Sequence, residues 1–391
     1  MSDGWAGAAA DLLDEADSAA LVDHHVHGAL RTGPSRSAYG RALNEVDTDP
    51  APPQVNPFDS QLGFAIRAWC APVLGLERHA DPDDYWTARA ALGEDEVNRR
   101  FLTAANVSHW LVDTGFRTAD LTDPHTMAVT SGGNAAEVVR LETLAEQVVA
   151  EGATPSTYAD AFRELLERRS LSAVAAKSVL AYRAGFDVDL GRPDDLEVER
   201  RSERWFVESE HTDSPRLVDP RLIAFGIHEA ADLGLAIQLH VGLGDRDLDL
   251  HRCDPMLLLD LLRAPGVARV PVLLLHCYPF ERQAGYLAQG FGNVFLDVGL
   301  AVNHLGARST ELVARSLELA PLHKVLYSSD ACGPSDLHFL GARLWRNAMA
   351  RVLGGFVDAD EWALADARRV LRMVARDNAL HAYERLDELP S

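Results

Sequence analysis

Leu21-Val22-Asp23-His24-His25-Val26-His27 (residues 21–27) is an apolar start that runs into two histidines at alternate positions. On an extended strand, residues two apart face the same way, so His25 and His27 would present their imidazoles side by side. Neutral imidazoles placed so are a usual way to hold Zn2+ or Fe2+. A pair of this kind is also what structural histidines look like, and its company carries the argument. LAIQLH (235–240) ends on His240, VPVLLLH (270–276) on His276 and KVLYSSD (324–330) on Asp330. Taken singly, each is equally a hydrogen-bonded histidine or an aspartate capping the next helix. In a parallel barrel, however, the C-terminal strand ends all meet on one face, where active sites sit. Five titratable residues in the order His-x-His, His, His, Asp therefore point to one metal centre.

Outward from these runs, the chain alternates short apolar stretches with amphipathic ones, the pattern of parallel α/β units. The expected strands are 21–27, 107–113, 137–142, 173–178, 235–241, 270–276, 293–298 and 325–330. The expected helices include 219–233, 254–263, 310–319 and two more within 336–353 and 360–386. The fold class is thus α/β, a (β/α)8 TIM barrel, read as one barrel domain over 1–391. The gap 28–106 breaks the rhythm. It opens with the Pro/Ser/Asp-rich RTGPSRSAYGRALNEVDTDPAPPQVNPFDS (31–60) and turns helical from about 62 to 105. An insertion after strand 1 rises from the catalytic face, so this segment is expected to be a helical cap. A second polar stretch, 185–215, follows strand 4 onto the same face.

A chain of 391 residues suits one barrel of about 250 residues with insertions, or two medium domains. Lys+Arg number 37 against 59 Asp+Glu, a net charge of -22 that would repel nucleic acid and anionic membranes. A small-molecule substrate is the expected partner, and homo-oligomerisation is compatible with this composition. Cys70, Cys253, Cys277 and Cys332 lack CxxC spacing, so neither a zinc ribbon nor a disulfide framework is expected. The first twenty residues carry acids where a signal peptide needs a basic start, and no apolar run approaches the ~20 residues of a membrane span. A cytoplasmic enzyme is the natural expectation.

Four further residues draw attention by type and place. Lys177 interrupts the apolar stretch SAVAAKSVLAY (172–182), and a buried ammonium must lose its charge, find an acid or be modified. It is either a carbamylated or neutral lysine bridging two metals, or one paired with a carboxylate such as Glu142 or pointing outward at the strand edge. Glu142 itself is a candidate carboxylate bridge. Arg140 and Arg183 lie near the ends of strands 3 and 4, where a guanidinium suits a substrate carboxylate. For either arginine, an ion pair with Glu142 or Asp113 is the competing reading. Cys277 reads as packing, and Asp297 and Asn303 as pocket-lining or helix-capping residues.

On these same residues the chain resembles the amidohydrolase superfamily, and within it the amidohydrolase-like half of fungal FluG and plant nodulin/glutamine-synthetase fusion proteins. LAIQLHVGLGDRDLDLHRCDPMLLLDLLR (235–263) is similar to that group's strand 5 and following loop. LLHCYPFERQAGYLAQGFGNVFLDVGLAVNH (274–304) resembles its strands 6 and 7, and KVLYSSDACGPSDLHFLGARLWR (324–346) its strand 8. VVRLETLAE (138–146) and AAKSVLAYRAG (175–185) resemble strands 3 and 4. The resemblance implies that His25 and His27 hold the more buried metal, that His240 and His276 hold a second, and that Lys177 bridges. It implies that Asp330 binds metal and handles the proton of the attacking water. Cys332 stands where the group often has histidine. One or two divalent ions (zinc, manganese or iron) are the expected cofactors. The expected reaction is hydrolysis of a C–N or ester bond in a small molecule by a metal-activated water. The alternative is a di-iron oxygenase, or a decarboxylase or hydratase, on the same barrel, because geometry and supply decide the metal more than affinity does.

Overall fold

Strands buried on both faces read as nearly continuous apolar runs, and five of the runs in this chain are buried at every position. The computed structural model describes residues 5–44, 55–209 and 215–388. Its strands are β1 (Leu21–Val26), β2 (Val107–Asp113), β3 (Asn134–Arg140), β4 (Ala173–Ser178), β5 (Ala236–Val241), β6 (Val272–His276) and β7 (Val294–Leu296). They form one sheet in the order β1 to β7, each neighbour parallel to the next. Helices pack outside it. Pro220–Asp232 shows why they start where they do: the Asp219 carboxylate accepts the amides of Arg221 and Leu222, and proline fills the first turn.

The eighth run closes the barrel without becoming a regular strand. The Leu326 amide donates to Leu296 O at 2.9 Å on one side, and on the other the His24 and His27 amides donate to Tyr327 O and Ala331 O at 3.3 and 2.9 Å. Ser329, however, gives its amide to the Asp23 carboxylate at 3.0 Å, and Asp330 takes a left-handed φ of 47°. Both interrupt the ladder just where Asp330 must face the site. The third strand also differs from expectation. It ends at Arg140, because Leu141-Glu142-Thr143-Leu144-Ala145-Glu146 is rich in good helix formers and begins the helix Leu141–Ala150. Glu142 is therefore a helix residue.

The segment 28–106 supplies the helices Arg36–Arg41, Gln61–Trp69, Pro82–Leu92 and Glu94–Ala104; within it, 45–54 of the Pro/Ser/Asp-rich stretch lies outside the described residues. Buried Asp336, at the start of the helix Ser335–Asp358, ties this segment down. It accepts from Tyr39 Oη at 3.0 Å, from Tyr85 Oη and from Arg89 Nε at 3.0 Å, while Arg89 pairs with Glu94 at 2.8 Å. The stretch 185–215 contains a helix, Asp195–Ser209, which its polarity conceals; 210–214 lies outside the described residues.

Inside the sheet a second apolar cluster joins Val22, Leu111, Val138, Leu273 and Phe295 to Ala379, Ala382, Tyr383 and Leu386 from the C-terminal segment. Arg385 donates to Ser170 O and Leu233 O, which precede β4 and β5, so this segment stops the N-terminal end of the barrel. The opposite end is left for chemistry. Among the described residues, no helix is long and apolar enough to cross a membrane.

Candidate metal centre

The ends of β1, β2, β5 and β6 and of the eighth run deliver titratable groups to the same small volume. Asp330 Oδ1 lies 3.0 Å from His25 Nε2 and 3.6 Å from His27 Nε2, and its Oδ2 lies 3.3 Å from His276 Nε2. The His25 ring is 5.4 Å from that of His27 and 5.5 Å from that of His276; the His240 ring is 4.8 Å from His276. Two triads offer ligand atoms within 4.8 Å of one another: His25, His276 and Asp330, and His25, His27 and Asp113. The backbone at His276, like that at Asp330, is left-handed (φ 69°), a conformation that costs about 1–3 kcal/mol and concentrates at functional sites.

The electrostatics suit a cation. Burial holds the imidazoles of His25, His240 and His276 well below the ordinary histidine range, and that of His27 near 3. They are thus neutral at pH 7, the form that binds metal. His25 Nδ1, His27 Nδ1, His240 Nε2 and both ring nitrogens of His276 are buried without a hydrogen-bond partner. Each such orphan costs about 1–3 kcal/mol. That neutral donor set around a carboxylate fits a divalent ion of the borderline, nitrogen-accepting kind.

The layer beneath fixes these groups. Gln238 Nε2 donates to Tyr383 Oη at 2.7 Å, and Tyr383 Oη meets His24 Nδ1 at 2.9 Å. His24 Nε2 meets Asp297 Oδ2 at 3.1 Å, and Asp297 Oδ1 accepts the amide of His276 at 3.1 Å. Asp297, left open above between pocket lining and capping, thus holds the β6 end in place. His338 Nε2 lies 2.9 Å from His27 O. Gly244 passes so near His240 that an added Cβ would stand 3.1 Å from its Nε2 and would clash with Tyr182 Oη.

Lys177 is buried in the same layer as the ligands, its Nζ 2.7 Å from His25 Nε2 and 3.3 Å from Asp113 Oδ2. Arg140 shares that carboxylate, its Nη2 2.6 Å from Oδ2. Glu142 instead accepts from Ser178 Oγ at 2.6 Å and the Val179 amide at 3.0 Å. The carboxylate paired with Lys177 is therefore Asp113 and not Glu142, because helix Leu141–Ala150 turns Glu142 toward the end of β4. Sequence reasoning passed over Asp113 as a ligand, although it closes VSHWLVD (107–113) as Asp330 closes its own run. Arg183 is set apart from Arg140, with Nη2 3.3 Å from Glu146 Oε1. A cleft of about 560 Å3 opens above, lined by His27, Lys177, Arg183, His240, Asp330 and Cys332 among others.

With the site in view, similarities to known proteins are informative. The family model described as Amidohydrolase matches residues 148–385. Protein fluG of Emericella nidulans is 30% identical over 286 residues, 65% of this chain and 33% of that protein. The chain thus spans about a third of the length of this curated relative. A crystal structure from Lactobacillus casei ATCC 334, whose assignment as a metal-dependent hydrolase is itself provisional, superposes with a TM-score of 0.84 at 25% identity, covering 97% of this chain and 99% of that one. The uronate isomerase of Thermotoga maritima (TM-score 0.63, 12% identity, 98% of both chains) shares the fold. So does the glucuronate isomerase of Caulobacter crescentus (TM-score 0.63, 15% identity, 98% and 95%).

Proposed function

Since the chain belongs to the amidohydrolase family, we propose that it hydrolyses a C–N bond of amide type, or an ester, in a small molecule bound above the His25–His27–His240–His276–Asp330 cluster. The observation that carries this reading is the Asp330 carboxylate standing 3.0, 3.6 and 3.3 Å from the Nε2 atoms of His25, His27 and His276, three imidazoles that burial keeps neutral. His25, His27, His240, His276 and Asp330 would hold one or two divalent ions. The ion pair of Lys177 supports an ammonium there, so that Asp113 rather than a lysine carbamate would supply any additional carboxylate. A bound ion lowers the pKa of water from ~15.7 to ~7 and polarises a carbonyl.

The chain's own residues do the rest. Asp330, facing three imidazoles, is placed to take the proton of the attacking water and return it to the leaving nitrogen or oxygen. The neutral histidines cannot compete for that proton while burial holds their basicity down. The C-terminal segment, which stops the far end of the barrel, leaves the cleft as the way in for solvent and substrate.

The test begins with metal analysis of the purified protein and a panel of small amides and esters assayed before and after chelation. Asp330→Asn should cost about 10²–10⁴-fold in turnover on the substrate so found, while metal content changes little. Near-normal turnover in Asp330→Asn would move the base elsewhere. Turnover that needs O2 and a site that holds two irons would replace hydrolysis with oxygenation.

A further inference from the structure

Among the described residues, the cleft of this acidic protein is lined by six cations, Arg41, Arg117, Arg140, Lys177, Arg183 and Arg216, against three aspartates. Most of the six have plain employment. Asp113 takes Arg140 and Lys177, Asp120 takes Arg117, and Asp247 takes Arg216 in a pair half-exposed on both sides. Arg183 differs. Its side chain is 11% exposed and its Nη2 reaches Glu146 at 3.3 Å, but its Nη1 is buried without a hydrogen-bond partner. A charged donor withdrawn from water and left unmet is among the costlier arrangements a protein can hold. Burial pulls this guanidinium below its ordinary pKa, and the nearby charges of Arg216 and Arg140 pull the same way against Glu146.

Position says what the donor is for. Arg183 ends the short turn Leu180–Arg183, and the ring of Tyr182 beside it packs, tilted by 51°, against that of His240 with centroids 4.6 Å apart. An anion on Arg183 is thus one residue removed from a ring that touches the candidate centre. We infer that the substrate carries a carboxylate of its own, separate from the bond that is cleaved, and that Arg183 Nη1 holds it. This inference rests on the hydrolase reading for the word substrate, but the anion subsite itself does not require the metal. A guanidinium N–H suits a carboxylate oxygen, which meets it in a charge-assisted hydrogen bond.

The experiment measures binding of glutarate, its neutral diamide glutaramide and inorganic phosphate by calorimetry, to metal-loaded and to chelated protein. Wild type should prefer glutarate to glutaramide by about tenfold or more, with or without metal, as expected for a charge-assisted hydrogen bond. Arg183→Met should abolish that preference at unchanged metal content, and Arg183→Lys should restore part of it. Should Arg183→Met fail to fold, the wild-type preference and the Lys variant still decide. An unchanged preference in either folded variant pair, or none in wild type, overturns the inference. A preference confined to metal-loaded protein places the carboxylate on the ion and overturns it as well. Phosphate binding as tight as glutarate overturns the carboxylate class. Failure to retain any metal would sink the hydrolase reading while leaving the glutarate result standing.

Discussion

At Asp113 a single buried carboxylate faces two cations, Arg140 at 2.6 Å and Lys177 at 3.3 Å, which hold it well below the usual carboxylate range despite its burial. Removing one member of such a set leaves buried charge uncompensated. Asp113→Asn should therefore destabilise the metal-free protein by about 3–5 kcal/mol, read by denaturant unfolding. A loss under about 1 kcal/mol would mean that water, not Asp113, satisfies the two cations. Arg140 and Arg183 looked alike in the sequence, each a guanidinium near a strand end. They differ in which carboxylate comes within reach: Asp113 of the neighbouring strand for Arg140, and Glu146 of the helix Leu141–Ala150 for Arg183.

Among elements, the C-terminal segment does what its composition conceals. It was expected as helix within 360–386; it breaks into Leu364–Arg372, a wider turn at Met373–Asp377 and Asn378–Ala382, and then carries Tyr383 into the barrel. There the hydroxyl bridges Gln238 and His24, one layer below His25. Tyr383→Phe keeps the apolar ring and loses the bridge, so it should cost about 1–3 kcal/mol of stability with folding retained. A thermal or chemical midpoint equal to wild type would show that the bridge is replaced by water. The strand-8 run shows the same limit from the other side. Its apolar residues announce burial, but the diversion of the Ser329 amide to Asp23 is a contact across 306 residues.

Among the described residues, six histidines (His25, His27, His228, His240, His276 and His338) are held below their ordinary pKa, burial being the chief cause in each. In the unfolded chain each takes a proton near pH 6.5; in the folded chain it does not. The unfolded state then binds more protons, so stability falls as pH drops through that range. Asp23 works against this by one proton, because burial lifts it to about 8 and it is protonated only in the folded state. The balance still favours loss. The metal-free protein should unfold at progressively lower temperature between pH 7 and pH 5.5, measured by calorimetry. A flat or rising midpoint over that window would mean that these imidazoles are charged in the native state. Bound metal should blunt the fall, since it competes with the proton for the same nitrogens.

What this sequence determined by itself was the barrel and which titratable groups stand at the ends of its strands. Both are local patterns: an apolar run long enough for one strand, ended by a residue whose chemistry is costly to bury without purpose. His25, His27, His240, His276 and Asp330 were legible as strand-end groups for that reason. Tertiary structure alone decided that Lys177 and Arg140 share Asp113, that Glu142 belongs to Ser178, that Tyr383 stops the barrel and that Arg183 keeps a buried donor unmet. These are pairings between groups far apart in the chain, and a charge or hydroxyl carries no mark of its partner until folding brings the two within a few ångströms.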